Sequence, residues 1–135
     1  MVKRNRNRNS RGFTLIELMM VISIILILYS IATPIYKTAL LHSKEAVLRD
    51  DLFTMRSLIQ QYTLDKQKAP QSLEDLVAAN YLKQIPRDPF TGSSDSWTVE
   101  QEDTLLSVDQ QEPGIVDVHS GSSMTSSEGT PYSSW

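Results

Sequence analysis

From Leu18 to Tyr36 the chain runs for 19 residues without a charge, LMMVISIILILYSIATPIY. A helix of about 20 apolar residues crosses a bilayer, so this run predicts a membrane-spanning helix. The apolar positions then narrow to a stripe. Leu41, Leu48, Leu52, Met55, Ile59 and Tyr62 step mostly by four and three, while Lys44, Arg49, Asp50 and Arg56 fall largely off that face. The pattern predicts one helix from about Thr14 to Lys66, roughly 80 Å long at 1.5 Å per residue. Its first half lies in the membrane; its second half is amphipathic and packs against a small domain. Pro34 lies inside it. Proline removes one backbone hydrogen bond and crowds the preceding turn, which predicts a kink or a local melt near Ser30–Pro34. Ser30 and Thr33 are placed to satisfy carbonyls freed there.

Polar residues and Pro70 end the long helix after Lys66. Ser72 with Asp75 three residues later forms a capping-box pattern, predicting a short helix over Leu73–Ala79 with Asn80 in the left-handed position that closes it. Tyr81, Leu82 and Ile85 are expected to pack that helix down. Pro86-Arg87-Asp88-Pro89 and Gly92 mark an irregular turn. Two or three short antiparallel strands follow, over Trp97–Gln101, Leu105–Val108 and Ile115–His119, with a loop at Gln110–Gly114. Residues 120–131 are mostly Ser, Thr and Gly and read as a loop, after which Trp135 is expected to fold back onto the sheet. The predicted class is α+β, with boundaries at 1–12 (leader), 13–36 (membrane helix), 37–66 (amphipathic helix) and 67–135 (head).

Charge sharpens this division. Of 135 residues, 13 are Lys or Arg and 16 are Asp or Glu. Five of the bases (Lys3, Arg4, Arg6, Arg8, Arg11) lie in the first twelve residues, which hold no acid. They should hold the N-terminus on the cytoplasmic side and send the head outward. No small-residue cleavage site follows the apolar run, as an ordinary secretory signal would require. From Asp88 to Trp135 there are nine acids and no Lys or Arg. Such a surface does not suit nucleic acid, whose phosphates call for bases. The chain has no cysteine and two histidines, too few ligands for a structural zinc site. Asp117, His119 and Ser120 are triad residue types, but neighbours in sequence are not triad geometry; strand residues are the expected reading. No phosphate-binding glycine loop is present, and no enzymatic activity is expected.

The strongest chemical feature is Gly12-Phe13-Thr14-Leu15-Ile16-Glu17. Glu17 is a lone carboxylate at the edge of an apolar segment. An acid deep in a membrane helix costs about 2.5–3.5 kcal/mol on insertion scales, so a partner should exist unless the side chain simply reaches the headgroups. A cut between Gly12 and Phe13 would create that partner. The new amine at Phe13 lies one helical turn from Glu17 and could pair with it within a chain or between laterally packed chains. Low dielectric strengthens the attraction. The cut also removes five positive charges from the interface.

GFTLIELMMVISIILIL, behind a basic leader, resembles the leader and N-terminal helix of type IV pilins and of the pseudopilins of type II secretion. The resemblance implies that a prepilin peptidase cuts after Gly12 and methylates the Phe13 amine. It also implies that Pro34 is the helix-disrupting proline of the family and that the chain polymerises into a helical filament. Tyr62-Thr63-Leu64-Asp65, Ile85-Pro86-Arg87-Asp88-Pro89-Phe90, Val116-Asp117-Val118-His119-Ser120-Gly121 and Trp135 are similar to the head of the major pseudopilin. That likeness implies an inner-membrane, single-pass protein with a periplasmic head, whose partners are copies of itself, minor pseudopilins and an inner-membrane assembly platform. It also implies calcium in the C-terminal loop. Asp109, Asp117 and Glu128 are the candidate ligands, although Ser120–Gly129 contributes only one acid where calcium takes six to eight oxygens. Two other functions fit: a type IV pilus subunit for adhesion, motility or DNA uptake, and a monomeric membrane-tethered binding module. The stalk bases Lys37, Lys44, Arg49, Arg56, Lys66 and Lys68 are expected to face acidic heads of neighbouring subunits.

Overall fold

The computed structural model describes residues 12–102 and 113–135. It has an α+β fold: α1 (Leu15–Lys66), α2 (Leu73–Ala78), β1 (Thr98–Gln101), β2 (Ile115–His119) and a closing 3₁₀ turn (Tyr132–Ser134). The chain divides between Thr38 and Ala39 into two compact units.

In the first unit, α1 is apolar on every side and exposes its side chains all round. Among the described residues it is the one helix long and apolar enough to cross a membrane. Three of its hydroxyls are turned inward onto the helix. Ser23 donates to the Met19 carbonyl at 2.8 Å, Thr33 to Tyr29 at 2.9 Å and Thr38 to Pro34 at 3.1 Å, so these O–H donors need no water. Pro34 leaves the Ser30 carbonyl without its usual donor, yet the element remains α-helix through it. Thr33 satisfies Tyr29 rather than Ser30.

In the second unit, α1 buries Glu45, Leu48, Leu52, Met55, Ile59 and Tyr62. This is the predicted stripe with one change: Leu41 is only half-buried, and Glu45, one turn on, takes its place. Against the stripe pack Leu73 and Leu76 of α2, Trp97 just before β1, Ile115 and Val118 of β2, and Tyr132. The helix stops where Gln67 adopts φ +55°. Asp75 then reaches back to accept from the Gln71 and Ser72 amides at 2.8 and 3.2 Å, which starts α2 as its capping pattern predicts. Asn80 at φ +62° ends it.

The sheet has two antiparallel strands among the described residues. Thr98 pairs with His119, Val99 with Val118 and Glu100 with Asp117, and a bulge follows between Glu100 and Gln101. β2 matches its predicted bounds; β1 begins one residue late, after Trp97, which is buried in the core and donates from its indole N–H to the Pro86 carbonyl at 2.9 Å. The predicted strand Leu105–Val108 and most of the loop Gln110–Gly114 lie outside the described residues. Gly121 permits a close crossing: a Cβ there would sit 1.9 Å from the Ser96 carbonyl oxygen.

Candidate assembly site and the anchored C-terminal segment

Thr14 opens α1. Its Oγ1 accepts from the Glu17 amide at 3.2 Å, and its carbonyl accepts from Leu18 at 3.2 Å. Glu17 therefore occupies the third helical position, where an acid also faces the positive end of the helix dipole. The T-x-x-E spacing of a capping box was legible in the sequence and marks Thr14 as a residue of this site. The Glu17 carboxylate has no partner among the described residues and is exposed, as are Phe13, Leu15 and Ile16. Gly12 precedes the helix, and a Cβ built there meets nothing within 4 Å. The N-terminal site is thus a lone acid on an apolar surface with an unencumbered glycine just upstream.

The head carries a second set of polar residues, and most of it escaped the hydrophobic pattern. Glu45 is 5% exposed. Its carboxylate accepts from the Ser127 amide at 2.7 Å, the Ser127 hydroxyl at 2.6 Å and the Tyr132 phenol at 2.9 Å. His42 Nδ1 lies 3.4 Å away. Burial raises the Glu45 pKa, but the bonds from Ser127 and Tyr132 and the proximity of His42 hold it below the ordinary carboxylate value. Tyr132 is pushed up to about 12, by burial first and by the Glu45 carboxylate next.

Arg56, placed off the packing face by its position in the helix, is instead half-buried at the strand. It donates to Asp117 Oδ1, to the Val118 carbonyl at 2.9 Å and to the Trp135 main-chain oxygen at 2.8 Å. Burial raises the Asp117 pKa; the Val118 amide and the Arg56 guanidinium outweigh it and hold that carboxyl below its usual range. Two turns earlier, Arg49 pairs with Glu128 and lies over the Trp135 ring, 4.4 Å from its centroid. The expectation that all six stalk bases face neighbouring subunits is corrected here for these two. Trp135 folds back, as expected, but onto α1 and Tyr132, with ring centroids 5.1 Å apart.

Asp88, in the predicted irregular turn, is fully buried. It accepts from the Phe90 and Thr91 amides at 2.8 and 3.3 Å and from the Ser120 hydroxyl. This ties the Asp-Pro turn to the end of β2. Asp51 is partly buried; burial first, then the negative charges of Asp50 and Asp88, raise its pKa.

Of the calcium candidates, Asp109 lies outside the described residues. Asp117 and Glu128 pair with different arginines. Glu100, Asp117 and His119 place three ligand atoms within 4.8 Å of one another. His119 Nδ1 is turned away to the Trp135 oxygen at 2.6 Å, which leaves Nε2 facing the two acids at 3.6 and 3.7 Å. Arg56 already supplies a cation to that group.

Residues 7–33 match the family described as the prokaryotic N-terminal methylation motif. The type II secretion system core protein G of Klebsiella michiganensis is 30% identical over 107 residues, spanning 64% of this chain and 72% of that protein. Its namesake in Klebsiella pneumoniae is 31% identical over 103 residues, 62% of this chain and 71% of its own length. The type IV major fimbrial protein FimA of Dichelobacter nodosus is 38% identical over 72 residues, 53% of this chain but 45% of that protein. No solved structure matches the chain significantly. With the methylation motif over the helix start, core protein G relatives matched over most of their length and a long apolar helix feeding a small α+β head, the chain belongs to the type IV pilin and pseudopilin superfamily.

Proposed function

We propose that this pilin-like subunit is the major structural component of a secretion pseudopilus, cut after Gly12, methylated at the Phe13 amine and polymerised through its apolar helices. The observation that carries the reading is the helix from Leu15 onward, apolar and exposed on all sides, with one carboxylate four residues after Phe13. Such a surface is stable only in lipid or against other apolar helices. Before cleavage it sits in the inner membrane with the basic leader in the cytoplasm and the head in the periplasm. After cleavage the Glu17 carboxylate of one subunit meets the Phe13 amine of the next and sets the stagger between them. Among the described residues nothing calls for glycine at position 12, where a Cβ has open space; on this reading the requirement belongs to the peptidase. Ser30–Pro34, already short of one hydrogen bond, is where the helix yields when subunits pack. Prepilin peptidase, minor pseudopilins and an inner-membrane platform are the partners.

Core protein G relatives favour secretion, since the chain spans 72% and 71% of them. The fimbrial relative favours a pilus, over a shorter stretch of that protein. Deleting the gene in its host separates the two. The secretion reading expects exported proteins to accumulate in the periplasm while surface pili remain. Loss of pili with normal secretion would assign the chain to a type IV pilus instead.

A further inference from the structure

The C-terminal segment of the head is fastened to α1, and the chemistry of the fastening is the reverse of a cation site. A calcium ion gathers oxygen lone pairs, six to eight of them and several from carboxylates. Here the segment turns donors inward. The Ser127 amide, the Ser127 hydroxyl and the Tyr132 phenol all point their protons at one buried carboxylate, Glu45. The centre on which the segment converges is therefore an anion supplied by the helix.

Several of the oxygens a cation could use are already engaged, and the acids are paired. Ser120 Oγ is engaged with Asp88 and accepts from the Ser122 amide. Ser122 Oγ accepts from Met124, and Ser126 Oγ from Glu128. The main-chain oxygens of Met124, Ser126 and Thr130 accept from Tyr132, Gly129 and Ser126 respectively. Glu128, the one acid of the segment, is turned out to Arg49, and Asp117 is held by Arg56. The described residues do not fit the calcium site that the family resemblance implies.

We infer that Glu45 replaces a metal in this chain: the head closes by a carboxylate-to-donor clasp between α1 and Ser127/Tyr132 and folds independently of calcium. Three bonds to one ionised acceptor are of the charge-assisted kind, each stronger than a neutral bond. They tie together positions 82 and 87 residues apart in sequence, so the clasp closes the second unit across nearly its whole length. The inference concerns the head alone and stands whether the filament serves secretion or a pilus.

The test uses the full processed chain in detergent, with unfolding followed by the fluorescence of Trp97 and Trp135, both of which lie in the head. Wild-type protein stripped with EDTA is expected to melt at the same temperature as protein in millimolar calcium. Glu45→Gln keeps the shape but removes the charge and presents an amide N–H₂ to the Ser127 donors. Its midpoint is expected to fall by roughly 5–15 °C, equally with EDTA and with calcium. Ser127→Ala, which removes one hydroxyl at an exposed position, is a milder variant expected to fall by a few degrees if Glu45→Gln does not fold. A saturable rise in the wild-type midpoint with calcium, or a fall with EDTA, overturns the inference. So does Ser127→Ala or Glu45→Gln melting with the wild type.

Discussion

A Glu17→Ala chain is expected to be inserted and cut normally yet to form at least tenfold fewer filaments than the wild type. The expectation follows from where the carboxylate sits. It is exposed on an apolar helix and has no partner in its own chain among the described residues. Laterally packed helices would exclude water from it, and an unpaired charge in such surroundings is penalised. A Phe13 amine at about 4 Å attracts it by about 4 kcal/mol at an effective dielectric near 20, before desolvation is counted. Each 1.4 kcal/mol is a factor of ten in association, so even half of that attraction governs whether subunits add. Glu17→Gln separates charge from shape and is expected to fail as alanine does. Thr14→Ala controls for helix capping, since it removes the Oγ1 acceptor of the Glu17 amide and leaves the carboxylate; it should retain assembly. Counting filaments by electron microscopy, with processed subunit in the membrane fraction measured in parallel, decides the matter. Wild-type filament numbers from Glu17→Gln would show that the pairing does not drive assembly.

Arg56→Met is expected to lower head stability by about 2 kcal/mol, or a midpoint shift of roughly 10 °C for a unit of this size. Arg56 is a donor to three acceptors at once: Asp117, the Val118 carbonyl and the Trp135 oxygen. Methionine keeps much of the apolar stem but leaves all three without that donor. The pair is about one-third exposed on each side, so solvent screens part of the loss and the figure stays below the 3–5 kcal/mol of a fully buried pair. The pH dependence has a definite sign. The Asp117 carboxyl in the folded head sits below its ordinary value. Its contribution is therefore complete above that ordinary value and is lost as pH falls through the lowered one. The gap between Arg56→Met and wild type should narrow over the same acid range, because protonated Asp117 no longer needs the guanidinium. A gap that stays constant down to the lowest pH at which both fold would place the effect in packing instead.

The parts of this fold that were legible in the sequence are those governed by periodicity. A charge-free run, then steps of four and three up to the polar stretch before Pro70, delimit α1 to within a residue; a Ser-x-x-Asp pattern starts α2; Ile115–His119 was expected as a strand at the bounds it has. What escaped was polar. Glu45 falls one turn after Leu41 and three residues before Leu48, squarely on the apolar stripe, but an acid there is ordinarily read as a break in the stripe. Its three donors come from more than 80 residues away, and no local rule connects them. Arg56 was placed off the packing face because it adjoins Met55 rather than replacing it, yet its length lets it reach the strand edge and Trp135. Asp88 carried a visible signal, since Asp-Pro marks a turn, but not the burial that Ser120 makes tolerable. At the N-terminal site both the chemistry and the cap were legible: Thr14 completes a Thr-x-x-Glu pattern that ties the acid to the first turn of the helix.

The account depends most on a new positive terminus being made beside Glu17. Intact-mass and N-terminal peptide spectrometry of the protein extracted from membranes tests this directly. The account predicts a chain that begins at Phe13, bearing one added methyl group on its amine and lacking all five leader bases. A mature protein that still begins at Met1 would contradict it.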